Sequence, residues 1–388
     1  MMKKINSSPA GILSCLLVML FCTVSCKRTP AAKQHRAAKT GSATIKYAKG
    51  FGIDYYDHYK LVSIYSGSGT ATDTTRYVLV PRGTKAPEGY NKAQLIEIPV
   101  KSLVATSSMH VALAEFAGSA DAITGLGSFQ YITSAIVRKN IAAGKIKEVG
   151  TEGTMNNEML ITMKPGLVMV TGNPAAKFSA YATLTGAGVP VMLNSEWLET
   201  TPLGRAEWVK LMAALMDKED SVNAKFKRIE TAYTRLAAMG QKAVSKPSVV
   251  SGMPYKGTWY VPDGDSYMVQ FFKDAGAAYQ WANTKEKGSL ALNFETVAPV
   301  ALKADFWLNL GEVNTKKDVQ AIDVRYADFK PFKNGNLFNN NGKVNSLGAN
   351  DFWESGAVNP DVVLADLIFI LHPDLLPNHH LVYYKKLN

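Results

Sequence analysis

Cysteine is almost absent: Cys15, Cys22 and Cys26, all near one end of a 388-residue chain, are the only three. That excludes a small disulfide-stapled fold and any thiolate cluster for a structural metal. Acidic residues are missing from the first 50 positions, where Lys3, Lys4, Lys27, Arg28, Lys33, Arg36, Lys39, Lys46 and Lys49 carry nearly all of the net charge of +11. The remainder is close to neutral, so no nucleic-acid partner is expected. Long apolar runs are also missing, since residues 11–24 are too short to cross a bilayer. No Gly-x-Ser-x-Gly elbow, P-loop, Gly-x-Gly-x-x-Gly or His-Glu-x-x-His occurs. The histidines, His35, His58, His110, His372, His379 and His380, are scattered, and the adjacent pair points to different sides of most backbones. No catalytic residue, bare-metal site or resident cofactor is therefore expected, and the chain does not read as an enzyme.

The first residues state a destination. Lys3 and Lys4 precede the apolar stretch 11–24, and Ser25 sits before Cys26, so residues 1–25 read as a secretory signal peptide. The segment resembles a lipoprotein signal, which implies cleavage before Cys26 and lipidation of that residue, although Thr23 and Val24 depart from the usual box. An ordinary cleaved signal with an incidental Cys26 is the alternative. A flexible tether over 26–50 and a location on the periplasmic face of a membrane, held by the lipid anchor, follow from the first reading.

From residue 51 extended and helical patterns alternate. Residues 59–65 and 77–80, separated by the Gly/Ser/Thr-rich stretch 66–75, predict an antiparallel hairpin. Apolar runs at Leu103–Ala105, 122–125, 167–170 and 189–193, spaced by helical segments, predict βαβ units and a mostly parallel sheet. Asn173-Pro174 supplies a cap and first-turn proline for a helix ending near Gly186. Residues 202–239 are different. Val222, Phe226, Ile229, Tyr233 and Leu236 recur at helical spacing, Asp220 or Ser221 could cap the start, and Gly240 follows as a stop. Such a rod is long enough to bridge two domains.

A faint repeat spans the rod. Ser108 precedes Ala117-Gly118, and Ser266 precedes Ala275-Gly276, by the same offsets; Asn156-Asn157-Glu158 and Asn293-Phe294-Glu295 each open a helix that leads to a strand. Two halves on one plan predict an α/β fold of two lobes with mostly parallel sheets, joined by a long backbone helix, with a ligand cleft between them. The boundaries are an N-terminal lobe at 51–204 including the hairpin, a linking helical segment at 205–245 and a C-terminal lobe at 246–388.

Through residues 103–118, 156–170, 252–276, 293–310 and 351–377, with Gly257-Thr258-Trp259-Tyr260 and Asp263-Gly264-Asp265-Ser266-Tyr267 among them, the sequence resembles the substrate-binding proteins of ATP-driven importers for iron chelates and cobalamin. The resemblance covers about residues 95–388 and leaves the hairpin outside. It implies a small hinge movement and two exposed acids, one per lobe, that dock on an ABC permease with its ATPase; by motif these are Glu158 and Glu295. A first-turn carboxylate is also favoured by its own helix dipole, which is the plain structural alternative.

What could grip a ligand is aromatic. Tyr255, Trp259, Tyr260 and Tyr267 crowd the opening of the second half, Ser128, Phe129, Gln130 and Tyr131 follow a strand end in the first, and Phe352 and Trp353 sit in a polar loop. Broad rings with polar tips suit a large, flat metal chelate. A ferric catecholate siderophore would call for cations where only Lys256 and Arg325 are at hand; cobalamin, with neutral amide edges, fits better; haem would need an axial Tyr or His. The rival function is an envelope interaction or sensor lipoprotein that uses the same fold without transport.

Overall fold

The computed structural model describes residues 38–66, 73–151, 153–172, 178–286 and 288–388, of which 39–388 form one compact unit. The expected signal peptide, Cys26 and Asn173-Pro174 lie outside the described residues. The body begins with a five-stranded sheet of order β1-β2-β3-β4-β5, formed by β1 (Lys39–Ser42), β2 (Phe51–Tyr56), β3 (Tyr59–Ser66), β4 (Asp73–Pro81) and β5 (Leu95–Ile98). Phe51 pairs Ile64, Ile53 pairs Val62 and Val62 pairs Tyr77, so one face of the sheet packs into the core. The hairpin exists, as β3 and β4, but inside a larger sheet.

Residues 39–50, expected as part of a tether, instead belong to this body. The reason is a pair of buried acids. Glu207 accepts the backbone N–H groups of Lys46, Tyr47 and Ala48 at 3.0, 2.6 and 2.8 Å and the Lys210 ammonium at 2.6 Å. Glu199 accepts Lys49 N–H, Gly50 N–H and the Trp208 indole N–H, at 2.9, 2.9 and 3.0 Å. Gly50 is required there, because a Cβ would sit 2.7 Å from the Trp208 ring.

The first lobe alternates β6 (Leu103–Ala105), α1 (Ser108–Phe116), β7 (Ile123–Leu126), α2 (Ala135–Ala142), β8 (Lys147–Glu148), α3 (Asn157–Met163), β9 (Leu167–Thr171), α4 (Ala182–Gly186) and β10 (Val191–Asn194). Its sheet is all parallel, in the order β10-β9-β6-β7-β8, and the apolar β6, β9 and β10 are buried along their length, as a sheet covered on both faces requires.

After α5 (Pro202–Ala206) and α6 (Val209–Met216) comes α7 (Glu219–Gln241), roughly 35 Å long at about 1.5 Å per residue. Val222, Phe226, Ile229, Tyr233 and Leu236 are all buried along one face, as their spacing predicts. Neither Asp220 nor Ser221 caps it; both lie inside the first turn, and no side chain accepts at the cap position, Lys218. Gly240 lies within the last turn rather than beyond it. Its missing side chain lets α7 approach the second lobe, since a Cβ would stand 2.3 Å from the Asp274 carbonyl oxygen.

The second lobe contains β11 (Ser248–Ser251), β12 (Pro254–Tyr255), β13 (Thr258–Pro262), α8 (Tyr267–Asp274), β14 (Ala278–Tyr279), β15 (Ser289–Leu292), α9 (Phe294–Ala301), β16 (Phe306–Leu308), α10 (Lys316–Ile322), α11 (Lys330–Asn334), β17 (Leu337–Asn339), α12 (Ser355–Val358), α13 (Pro360–Leu371) and β18 (Lys385–Lys386). One sheet runs β14-β11-β16-β17-β18, parallel except for β18, and a smaller antiparallel one runs β12-β13-β15. The repeat is visible in the helix ends. Ser107, one residue before the expected Ser108, caps α1 and Ser266 caps α8; both helices stop at Ala-Gly, with Gly118 and Gly276 at φ of 64° and 79°. Asn156 and Asn293 cap α3 and α9 through Met159 N–H and Thr296 N–H.

Glu207 is fully buried and holds three remote backbone donors, so Glu207→Ala should lower the unfolding free energy by about 3–5 kcal/mol, the cost of breaking a buried charged pair. Urea denaturation of the two proteins checks this.

Candidate functional site

Parallel strands leave a crevice beyond their C-terminal ends, where loops are free to diverge. In the first lobe the ends of β6, β7 and β9 open on a concavity of about 310 Å³ whose lining includes Thr106, Ser107, Ser108, Ser128, Tyr131 and Tyr181. Every described residue lining it is uncharged. Gly127 keeps the floor open, because a Cβ there would lie 2.6 Å from the Thr106 carbonyl oxygen. The hydroxyls are oriented by the backbone: Thr106 Oγ1 donates to Met169 O at 3.0 Å, Ser107 Oγ accepts Met109 N–H at 3.2 Å, and Ser128 Oγ accepts Gln130 N–H at 3.2 Å. Ser108 Oγ donates to the Trp353 backbone carbonyl of the second lobe at 3.5 Å, but Trp353 itself lines a separate small hollow with Arg205, Tyr267, Phe271 and Phe352.

Of the residues singled out from sequence, Ser128 and Tyr131 line this wall, and Tyr131 is 59% exposed. Phe129 is adjacent but its ring packs on the core, while its N–H donates to Glu148 at 2.7 Å and its carbonyl accepts from Arg138. Trp353 is half exposed. Tyr255 and Tyr260 are exposed on the small β12-β13-β15 sheet, away from the lining of this concavity, and the Lys256 ammonium lies 5.2 Å from the Tyr255 ring centre. Tyr267 lies at the seam between lobes, its ring 4.7 Å from the Arg205 guanidinium and edge-on to Phe271.

Trp259 requires correction. It is fully buried within the second lobe, packed against Trp307, Tyr326 and Phe329, and its indole N–H donates to Ser251 O at 3.1 Å. Strand alternation places Tyr260 outward and Trp259 inward, so Trp259 is core, not wall. Arg325 likewise does not serve the cleft. It pairs with Asp323 at 2.6 Å and lies 3.8 Å over the Phe294 ring, beside Glu295.

His110 and His379 serve the fold. His110 is fully buried in α1, and burial holds its pKa down at about 3, so the ring is neutral. His379 lies 2.6 Å from the buried Asp366. Sequence reasoning passed over Thr106-Ser107-Ser108, although a hydroxyl run directly after the apolar Leu103–Ala105 strand was the available signal. Glu158 and Glu295 are exposed, each the second residue of an Asn-capped helix, one in each lobe.

The family model described as periplasmic binding protein matches residues 103–339. The chain is 28% identical over 370 residues to an uncharacterized lipoprotein of Methanocaldococcus jannaschii, MJ0878, covering 89% of this chain and 85% of that one. Among solved structures it resembles Ceue of Helicobacter pylori with Ni(II) bound, at 16% identity and a TM-score of 0.56, over 74% of this chain and 88% of that one. It also resembles the periplasmic heme-binding protein HutB of Vibrio cholerae, at 14% identity and a TM-score of 0.53, over 68% of this chain and 98% of that one. At these identities the two structures establish the two-lobed fold alone.

Core and wall respond differently to truncation. Trp259→Ala should lower stability by about 3–5 kcal/mol, as for other large aromatics removed from a core, whereas the exposed Tyr131→Ala should stay within about 0.5 kcal/mol of the parent. Parallel thermal and urea unfolding of the two variants distinguishes them.

Proposed function

The chain belongs to the periplasmic binding protein family, a solute-binding rather than enzymatic family, and from that premise we propose that it is the substrate-binding protein of an ABC importer that captures a metal chelate in its cleft. The observation that carries this reading is the wall of hydroxyls and phenol rings, uncharged among the described residues, at the strand ends of the first lobe. Hydroxyls held by backbone bonds offer fixed polar contacts to amide edges, and Tyr131 offers a face for a broad apolar surface. A ligand with neutral edges suits it, which puts cobalamin ahead of a ferric siderophore. Haem stands third, with Tyr131 and Tyr181 the phenols that line the concavity.

Delivery needs a permease. Glu158 and Glu295 occupy equivalent first-turn positions in the two lobes, where a carboxylate stands clear of the body and can meet a partner's guanidinium. Attachment of the chain to a membrane through Cys26 completes the reading. Among the described residues no helix is long and apolar enough to cross a membrane. The rival reading, an envelope interaction or sensor lipoprotein, draws on the β1–β5 sheet, which lies before the residues matched by the family model.

Reversal of both Glu158 and Glu295 to Arg should leave haemin and cyanocobalamin affinity within about twofold and abolish uptake in vesicles carrying the cognate permease and ATPase, with single reversals intermediate. Normal transport by the double variant rules out the docking role; loss of chelate binding places the two acids in the cleft instead. Cys26→Ala should release the protein from the membrane fraction or leave it unprocessed, and unchanged retention on fractionation would remove the anchor.

A further inference from the structure

The loop that carries Ser128 and Tyr131 continues into a turn that the second lobe grips. Asn345 Nδ2 donates to Ile132 O at 2.9 Å, and Thr133 Oγ1 donates to Asp351 Oδ1 at 2.6 Å. The N–H groups of Thr133 and Ser134 donate to the two carboxylate oxygens of Glu354 at 2.8 and 2.7 Å. Glu354 is 2% exposed. Ser134 in turn caps α2 through Val137 N–H, so one carboxylate fixes both a helix start and the loop before it. Asp351 is itself held by Lys343 and by Ser355, each at 2.5 Å.

This contact lies on the seam between lobes, beside a cavity of about 540 Å³ bounded by α1, α7 and the 343–359 segment. The charged groups around it are Glu115 from α1, Lys225 from α7, and Lys343 and Asp351 from the second lobe; the Tyr383 hydroxyl meets Ser355 at 2.9 Å. Lys343 is engaged with Asp351 and Lys225 with the Phe116 carbonyl, so among the described residues no ammonium directly neutralises Glu354.

We propose that Glu354 is a positioning residue that locks the cleft loop 128–134 of the first lobe to the second lobe, and that the lock is tighter when this seam holds a proton. Its consequence for ligand capture rests on the cleft reading above, but the lock is a property of the folded chain alone.

The direction follows from the surroundings. Burial, opposed by the Thr133 and Ser134 N–H groups and reinforced by the Asp351 charge, pushes the Glu354 carboxyl up to about 7, from 4.5 when it faces water. Burial also works against Asp351, but Lys343, Ser355 and Thr133 outweigh it, so that carboxyl stays below its ordinary value and remains charged. The locked state, with the higher Glu354 pKa, binds more protons than the open state. Locking is therefore favoured as pH falls below about 7, by up to about tenfold per pH unit, and levels off above it.

Hydrogen exchange of the full-length protein, with no ligand added and with rates corrected for intrinsic exchange, tests this at the Thr133 and Ser134 amides. Wild-type protection should fall more than tenfold between pH 5 and pH 7.5 and then plateau, with residues 128–132 following. E354Q should flatten the profile, E354A should lose protection at every pH, and D351N should move the midpoint to lower pH by removing the like charge. Amides of β9 and β10 serve as the folding control; if E354A fails that control, E354Q decides. A flat wild-type profile, a slope that survives in E354Q, or a folded E354A with wild-type protection overturns the proposal, and none of these outcomes bears on whether the chain transports a chelate.

Discussion

Buried carboxylates that accept backbone N–H groups from distant segments hold the irregular parts of this chain in place. Glu207 and Glu199 secure residues 46–50, Glu354 secures Thr133 and Ser134, and Asp366 accepts the N–H groups of Val382, Tyr383 and Tyr384. All four acids are at least nine-tenths buried. Removing a charge from water is costly, and aligned donors offset that cost at Glu207, Glu199 and Asp366 but only in part at Glu354. Glu207, Glu199 and Glu354 join positions more than a hundred residues apart and Asp366 closes a shorter loop, as disulfides would, in a body that contains no cysteine among its described residues.

Upon these staples the two lobes keep one relation. The helix α7 supplies the spine through its apolar face, and Gly240 lets it approach Asp274 and Gly276 closely enough to fix the second lobe against it. Glu354 acts at the opposite end of the same problem, where the lobes meet near the ligand wall. One apolar core runs from α1 of the first lobe through α5, α6 and α7 to α8, α12 and α13 of the second, and the polar contacts of Glu354 add to it at the rim.

The parts legible in sequence were those governed by periodicity and local caps. The α7 face, β6, β9 and β10, and the Asn-capped helices of Glu158 and Glu295 all stand where residue spacing placed them. What spacing could not show was partnership at a distance. Lys46 to Gly50 looked like solvated tether because Glu207 and Glu199 lie more than a hundred residues away. Trp259 looked like ligand wall because an aromatic run does not reveal which of two alternating faces is inward; β13 pairs on both edges, and the inward position fell to Trp259. The hydroxyl run at Thr106 to Ser108 was readable in principle, but aromatic residues carry a louder signal than serines.

Among the described residues the wall is polar without charge, which on the proposed reading suits a ligand recognised by shape and hydrogen bonds rather than by net charge. The most direct measurement is the absorption spectrum and metal content of protein isolated from its host membranes, compared with the same preparation of a variant in which Ser128 and Tyr131 are both alanine. The account expects a stoichiometric metal-chelate chromophore in the parent and its loss from the folded variant. A metal-free ligand in the parent, or a chromophore retained undiminished by the variant, would contradict it.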